Sequence, residues 1–187
     1  MKNGRVILEK ERFQLTINRL CQQLIESYGD FENTCIVGIQ ERGVLLANRI
    51  VKDLKILLKK EDLEYGKLDI TFYRDDFRRR EILSKASTTE MNFIVEGKRV
   101  VLIDDVLYTG RTIHAALTAL QHFGRPKTIE LLCLVDRRFN RHLPIKSDYT
   151  GITVDSLDEA YVNVVWSDIE GEDKILLFSP DKTNAKG

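Results

Sequence analysis

Two neighbouring acids, Asp104 and Asp105, close an apolar run in the stretch LIDDVLYTGRT, which covers residues 102–112. The turn sequence TGRT at 109–112 follows them. Paired carboxylates suit the vicinal hydroxyls of a ribose, or waters on a magnesium ion. A turn that leads into a helix offers unpaired N–H groups and about half a positive charge, which suit a phosphate. Each part alone is ordinary loop chemistry, but the whole string predicts a cradle for a ribose 5-phosphate.

The elements around this string alternate between strands and helices. Short apolar runs, typical of strands buried on both faces, occur at 34–39, 98–104 and 128–135. Apolar residues at three- and four-residue steps predict helices over 13–28, 44–58 and 113–123. This alternation predicts an α/β fold with a parallel twisted sheet and helices on both faces. Ligands bind such sheets beyond the carboxyl ends of the strands, where loops 40–43, 104–112 and 136 onward would meet.

The remaining regular segments fit the same single domain, residues 1–187. The segment KLDITFY (67–73) alternates between apolar and polar residues, which predicts a strand with one wetter face. The segments YVNVVW (161–166) and KILLF (174–178) predict a C-terminal β-hairpin.

Three segments lack a clear period. Residues 74–97 are polar and charged, and a loop this long inside a small domain is often functional. Residues 136–150 form a basic loop that contains Pro144. The tail, about 180–187, is expected to be disordered.

Bulk properties exclude several classes of protein. Lys plus Arg number 29 and Asp plus Glu number 29, so no global charge points to nucleic acid or to a membrane, although this balance leaves room for a local charged patch. No apolar run approaches the ~20 residues that span a bilayer, and the first ten residues do not resemble a signal peptide. The isolated cysteines Cys21, Cys35 and Cys133 lie in apolar patterns. Buried reduced thiols are therefore expected, and with them a cytoplasmic location.

The string VVLIDDVLYTGRT resembles the signature of the type I phosphoribosyltransferases, which bind phosphoribosyl pyrophosphate (PRPP). Its form resembles the PyrR branch most closely, whose members are bifunctional pyrimidine-operon regulators with uracil phosphoribosyltransferase activity. Four further segments match that branch in order, namely CIVGIQERGVLLA (35–47), LDITFYRDD (68–76), FGRPKTIELLCLVDR (123–137) and LPIKSDYTG (143–151). The resemblance implies the type I phosphoribosyltransferase fold, with a small hood beside the sheet.

The resemblance also implies roles for individual residues. Asp104 and Asp105 would bind the ribose hydroxyls, and Arg42 would balance the charge of pyrophosphate, so these three form the catalytic set. The loop GIQERG would bind pyrophosphate, often with a strained or cis peptide bond. The nucleotide-binding set so implied is Gln40, Glu41, Gly43, Asp104, Asp105, Val106, Leu107, Tyr108, Thr109, Gly110, Arg111 and Thr112. Mg²⁺ would be held through PRPP and waters, with the two acids as its candidate protein contacts.

The implied reaction is displacement of pyrophosphate from the anomeric carbon of PRPP by a uracil nitrogen, which yields UMP. The protein would position the reactants and needs no nucleophile of its own. Segment 74–97 would be the flexible loop that closes over the reacting centre and excludes water. Its arginines, which could cover pyrophosphate, are Arg74, Arg78, Arg79 and Arg80.

Tyr108 favours a pyrimidine as the accepting base. Purine-salvage members of the superfamily usually carry an acid at this position, and a phenol with a pKa of about 10 is a poor base at neutral pH. The base itself would be read after strand 128–135, by Val135, Asp136 and Arg137. A phosphoribosyltransferase for another base is the alternative.

The hood loop, about 136–150, departs from the branch pattern Arg-Gly-His-Arg-Glu-Leu-Pro-Ile. The sequence RRFNRHLPI (137–145) lacks the glycine and is one residue longer. An RNA-binding patch would use Arg19, Arg138, Arg141 and Lys146, with Phe139 as a stacking face. The alternative for these residues is a solvated basic loop. A regulator that binds pyrimidine mRNA in response to UMP or UTP is thus a second hypothesis, and a homodimer or higher homo-oligomer is expected.

Overall fold

A computed structural model describes residues 4–75, 87–155 and 160–178 of the chain. Its central sheet has five parallel strands, which are β2 (Thr34–Ile39), β3 (Glu64–Leu68), β4 (Arg99–Leu107), β5 (Thr128–Arg138) and β6 (Tyr149–Asp155). Their order across the sheet is β3-β2-β4-β5-β6, so β4 lies in the middle. All four pairings are parallel. The predicted parallel α/β architecture is confirmed.

Three helices cover the two faces of this sheet: α1 (Lys10–Tyr28), α2 (Arg42–Leu58) and α3 (Arg111–Leu120). One core joins α1 and α2 to strand residues such as Ile36 and Val101. A second core joins α3 to the adjacent strand residues Val37 and Leu102. Successive side chains of a strand point to opposite faces, so these neighbours separate the two cores.

Helix α1 forms where the apolar spacing predicts it. The periodic residues Phe13, Ile17, Leu20, Leu24 and Tyr28 are all buried. The helix ends at Gly29, whose φ of 61° is readily adopted by glycine. The Gly29 amide donates to the carbonyl of Ile25 at 2.8 Å, which satisfies one of the last carbonyls of the helix.

A second, antiparallel sheet forms the small hood. Its strands are β1 (Arg5–Leu8), β7 (Tyr161–Val165) and β8 (Lys174–Phe178), in the order β1-β8-β7. The short helix α4 (Ser167–Glu170) joins β7 to β8. Trp166 is fully buried, and its ring meets that of Phe13 edge-on at 5.3 Å. The predicted hairpin is confirmed, and β1 is an additional strand that the pattern did not predict.

The sequence interpretation is wrong at three boundaries. The strand predicted over 67–73 ends at Leu68, because the Asp69 carboxylate accepts the Thr71 amide at 2.9 Å and starts a 3₁₀ turn. Strand β4 continues to Leu107, three residues beyond the predicted end, so the acid pair lies within the strand. Positions at both ends of the predicted hood loop belong to strands, since β5 reaches Arg138 and β6 begins at Tyr149.

Part of the predicted flexible loop, around Glu90, is hydrogen-bonded to β3 of the central sheet. The backbones of Glu90 and Lys67 exchange two hydrogen bonds, of 2.8 and 2.9 Å, and Val95 is fully buried. The segment around Glu90 and Val95 is therefore anchored to the rest of the protein, and closure of the loop over the reacting centre stays a prediction. Arg78, Arg79 and Arg80, like the tail at 180–187, lie outside the described residues.

The three cysteines are free and buried. Burial raises the pKa of Cys21 and Cys35 to about 12, so these thiols stay protonated at neutral pH. Within the described ranges, no helix has the length and apolar character needed to cross a membrane.

Candidate functional site

The acid pair lies buried in the middle strand of the sheet. Asp104 is 6% exposed and Asp105 is 7% exposed. The Oδ1 atom of Asp104 accepts the amide of Asp105 at 2.9 Å. Burial raises the pKa of both carboxyls, and the charge of Asp105 adds to the rise at Asp104. Two carboxyls held this way favour a ligand that brings hydroxyl donors or positive charge.

The loop between β2 and α2 closes against this pair. A Cβ atom on Gly43 would lie 2.6 Å from the carbonyl oxygen of Ile103 and 3.2 Å from Oδ1 of Asp104. Only glycine therefore lets the first turn of α2 approach the acids this closely. The bond between Gln40 and Glu41 is cis, which is the conformation that the resemblance implies for this loop.

Arg42 connects the acids to the antiparallel sheet. Its Nε donates to Oδ2 of Asp105 at 3.1 Å, and its Nη2 donates to the carbonyl of Val164 in β7. The amide oxygen of Asn163 lies 3.5 Å from the same Nη2. The guanidinium also lowers the pKa of Asp105 against the larger effect of burial. The contact with β7 was not predicted, because a backbone acceptor leaves no mark in the sequence.

The Thr-Gly turn follows at the end of β4. Gly110 adopts a φ of 89°, in the left-handed region, and precedes the first residue of α3. The Arg111 amide lies 3.4 Å from Oγ1 of Thr109, while the amides of Thr109 and Gly110 have no protein acceptor among the described residues. Such a turn at a helix N-terminus can donate to an anion.

The β5–β6 loop, residues 139–148, rests on this turn. The amides of His142 and Leu143 donate to the carbonyl of Thr109 at 3.0 and 3.3 Å. The side chains of Leu143 and Ile145 close over Gly110. The Thr109 carbonyl of the turn is thus occupied by hydrogen bonds from within the protein.

Arg111 joins the turn to two other loops. Its guanidinium pairs with Asp75, and its Nε lies 3.4 Å from Nδ1 of His142. Asp75 stands at the start of the predicted flexible loop. Arg74, beside it, lies close enough for its charge to lower the pKa of Asp104. One of the four predicted loop arginines therefore lies near the acids.

The predicted base-reading residues separate into two groups. The Arg137 guanidinium lies 3.9 Å from the centroid of the Tyr108 ring and donates to the Ala160 carbonyl at 2.5 Å. Asp136 pairs with Arg141 at the same end of the strand. Val135, by contrast, is fully buried in the core shared with α1 and α2. The Val135 side chain packs there, whereas Asp136 and Arg137 lie at the carboxyl end of the strand, beside Tyr108.

The four predicted RNA contacts do not form one free basic patch. Arg19 donates to the carbonyls of Thr150, at 3.2 Å, and Gly151. Arg138 forms a bidentate pair with Asp155, with distances of 2.7 and 2.8 Å. Lys146 is exposed, and Arg141 turns inward.

An exposed aromatic side chain lies beside this basic group. Phe139 is 74% exposed, and the Arg138 guanidinium lies 5.6 Å from the centroid of its ring. The predicted stacking face is therefore open to solvent.

The site as a whole brings together three loops at the carboxyl end of the sheet. They are the β2–α2 loop, the turn after β4 and the β5–β6 loop, as the strand order predicts. Buried carboxylates, a turn with free amides and several arginines form a mouth suited to a sugar carrying phosphates.

Comparisons with known proteins agree with this geometry. The phosphoribosyl transferase domain family matches residues 5–168. A protein named bifunctional protein PyrR from Gloeothece citriformis is 42% identical over 172 residues, which are 92% of this chain and 96% of the relative. A protein of the same name from Caldicellulosiruptor saccharolyticus is 35% identical over 182 residues, which are 97% of this chain and 99% of the relative.

Solved structures share the fold at low sequence identity. A hypoxanthine phosphoribosyltransferase from Staphylococcus aureus has a TM-score of 0.65 at 22% identity, and the match covers 96% of this chain and 95% of that chain. A Trypanosoma cruzi hypoxanthine phosphoribosyltransferase in complex with IMP has a TM-score of 0.67 at 15% identity, covering 95% and 92%.

Proposed function

The chain belongs to the phosphoribosyltransferase family and to its PyrR branch, and from that membership we propose that it converts uracil and PRPP to UMP and pyrophosphate. The observation that carries the proposal is the joint position of Asp104, Asp105 and the Gly110 turn at one mouth of the sheet. A ribose ring that carries a 5-phosphate and a 1-pyrophosphate matches that arrangement of acceptors and donors.

Each part of PRPP has a partner in this proposal. The carboxylates of Asp104 and Asp105 accept hydrogen bonds from the ribose hydroxyls. The amides of the turn, with the hydroxyls of Thr109 and Thr112, bind the 5-phosphate. Arg42 and the loop that precedes it face the pyrophosphate, whose negative charge the guanidinium balances.

The reaction follows from holding these groups in place. A nitrogen of uracil attacks the anomeric carbon and gives up its proton to solvent, and the bond to pyrophosphate breaks with its electron pair leaving on oxygen. Positive charge develops on the ribose ring, and the buried carboxylates lie where they stabilise it. Positioning and electrostatics supply the acceleration, so no covalent intermediate with the protein is needed.

Mg²⁺ fits this site as a companion of PRPP. Two buried carboxyls whose pKa values are raised suit a nearby cation. Within the described residues there is no group of three or more His, Cys, Asp or Glu side chains that could hold a metal. Asp104 and Asp105 would therefore contact the ion through waters, and its charge would neutralise the departing pyrophosphate.

The choice of uracil can be tested with a panel of bases. We expect Mg²⁺-dependent turnover of uracil with PRPP, and turnover of hypoxanthine at least about a hundredfold slower, because Tyr108 stands where purine-salvage members usually carry an acid that exchanges a proton with the base. Release of pyrophosphate, followed with and without EDTA, measures both. Turnover of hypoxanthine but not uracil would contradict the proposal.

A second activity is supported by the name of the relatives, which calls them bifunctional. The proposed second activity is UMP- or UTP-responsive binding of pyrimidine mRNA. Phe139 offers an exposed ring for stacking, and Arg138, with Lys146, lies on the exposed surface. RNA binding through stacking and phosphate contacts uses such groups.

RNA binding is expected to weaken with salt and to strengthen with UMP. Loss of one phosphate contact lowers the salt dependence of RNA binding. Lys146→Ala should therefore make the slope of log K against the logarithm of the salt concentration shallower by about one unit. A gel-shift series in increasing salt, with and without UMP, measures this. Affinity no higher than for random RNA would count against the second activity.

The proposed state of the protein is a cytoplasmic homodimer or higher homo-oligomer. The buried, reduced cysteines support the location. The exposed apolar side chains of Leu15, Ile56 and Leu57 on α1 and α2 support association with a second copy.

A further inference from the structure

Arg141 joins two strand ends with one guanidinium. Its Nη2 donates to Oδ1 of Asp136 at 2.5 Å, and its Nη1 donates to the carbonyl of Tyr108. The Arg141 side chain is only 22% exposed, and that of Asp136 is 16% exposed. The planar guanidinium of arginine can donate both hydrogen bonds at once, whereas the single ammonium group of a lysine is less suited to do so.

The two points that Arg141 joins lie side by side at the mouth. Leu107 of β4 pairs with Asp136 of β5, so Tyr108 begins the turn directly beside Asp136. The Tyr108 ring is covered by Arg137, at 3.9 Å from the ring centroid. Tyr108 is thus held through its ring by one arginine and through its carbonyl by another.

Arg141 differs in its contacts from Arg138, the cation at the end of β5. The Arg138 side chain is 54% exposed and pairs with an exposed acid, Asp155, on the outer strand. Arg141 directs its fork into the protein, where both terminal nitrogens are engaged. A guanidinium occupied in this way cannot offer the same fork to an RNA phosphate.

We propose that Arg141 is a positioning residue for the accepting base, which it serves by fixing Asp136 and Tyr108 relative to each other. The proposal rests on the proposed transfer to uracil. Arg141 binds one oxygen of the Asp136 carboxylate and leaves Oδ2 to accept an N–H group of the pyrimidine ring.

Steady-state kinetics of Arg141→Ala test this role. We expect the KM for uracil to rise about tenfold, while the KM for PRPP changes less than about twofold, because the acids and the free amides of the turn remain. The matched control is Arg125→Ala, which removes an exposed arginine at the opposite end of β5 and should leave both constants unchanged. Equal rises in both KM values would indicate general loosening and would overturn the proposal.

A double-mutant cycle separates positioning from simple loss of structure. If Arg141 acts through Asp136, then Arg141→Ala should have little further effect in an Asp136→Asn background. The same cycle can be read from UMP affinity by calorimetry, which needs no turnover. Additive losses in the cycle would overturn the role of Arg141, whereas a wild type that binds UMP but does not use uracil would count against the proposed function alone.

Discussion

Replacing the acid pair, in the variant Asp104→Asn with Asp105→Asn, is expected to lower uracil turnover by about a hundredfold or more. The two carboxylates are buried in β4 beside the turn, and they accept the ribose hydroxyls in the proposed complex. An amide keeps the shape of the side chain but loses the charge that stabilises the developing cation. Initial rates with saturating PRPP and uracil measure the loss.

The same variant should keep its fold. Burial raises the pKa of both carboxyls, so they contribute most to stability below the unfolded value of about 3.9, and this contribution is lost as pH rises through the folded values. Ionisation of the pair therefore costs stability, and neutral amides do not incur that cost. The melting temperature at pH 7 should be no lower than that of the wild type.

An exposed acid pair provides the control. Glu61→Gln with Asp62→Asn makes the same change of charge and of side-chain type at two adjacent exposed positions. This control should retain the wild-type rate. Turnover within about threefold of the wild type in the Asp104 and Asp105 variant would show that the pair does not bind the ribose.

A second large effect is expected from Gly43→Ala. The added Cβ would lie 2.6 Å from the Ile103 carbonyl and 3.0 Å from Cα of Asp104, and backbone atoms cannot move aside cheaply. The first turn of α2 must retreat from β4 and take Arg42 with it. Overpacking of this kind costs about 1–3 kcal/mol, and a shift of about 1 Å at the site can lower the rate about a hundredfold.

Gly29→Ala separates the effect on the site from the effect on stability. Gly29 ends α1 with a φ of 61°, and no atom lies within 4 Å of the added Cβ. The substitution costs about 1–2 kcal/mol through backbone strain alone. Its kcat/KM should match the wild type below the melting temperature. A rate loss in Gly43→Ala no larger than in Gly29→Ala would exclude a close-approach role for Gly43.

The central fold could be predicted because its signals are local. Strands β2, β4 and β5 are apolar runs buried on both faces, and α1 carries its apolar residues at helical steps. Each of these patterns needs no knowledge of a distant partner. The acid pair and the Gly110 turn are equally local, since strand, turn and helix follow one another within about 25 residues.

The strands that were missed depend on distant partners or on unusual residues. Strand β1 has four residues, and it is a strand only because β8 pairs with it from the far end of the chain. Strand β6 contains Gly151, which weakens a strand pattern. The glycine is required there, because a Cβ atom would lie 2.4 Å from the Leu134 carbonyl of β5.

The connections within the site were missed for a related reason. Arg42 donates to the carbonyl of Val164, and Arg141 donates to the carbonyl of Tyr108. Every residue has a carbonyl, so neither acceptor is marked by its side chain. Sequence could place these arginines near the mouth, but only the packing of the two sheets determines which atoms they meet.

The pairing of β1 with β8 also bears on how the protein is made. During translation, α1 and the parallel strands emerge first and can pack before the ribosome has produced residues 174–178. Strand β1 must wait for its partner until all the strands of the central sheet have been made. The acceptor that β7 offers to Arg42 is fixed only when that partner arrives, so a nascent chain completes this site only after residues 174–178 have been made.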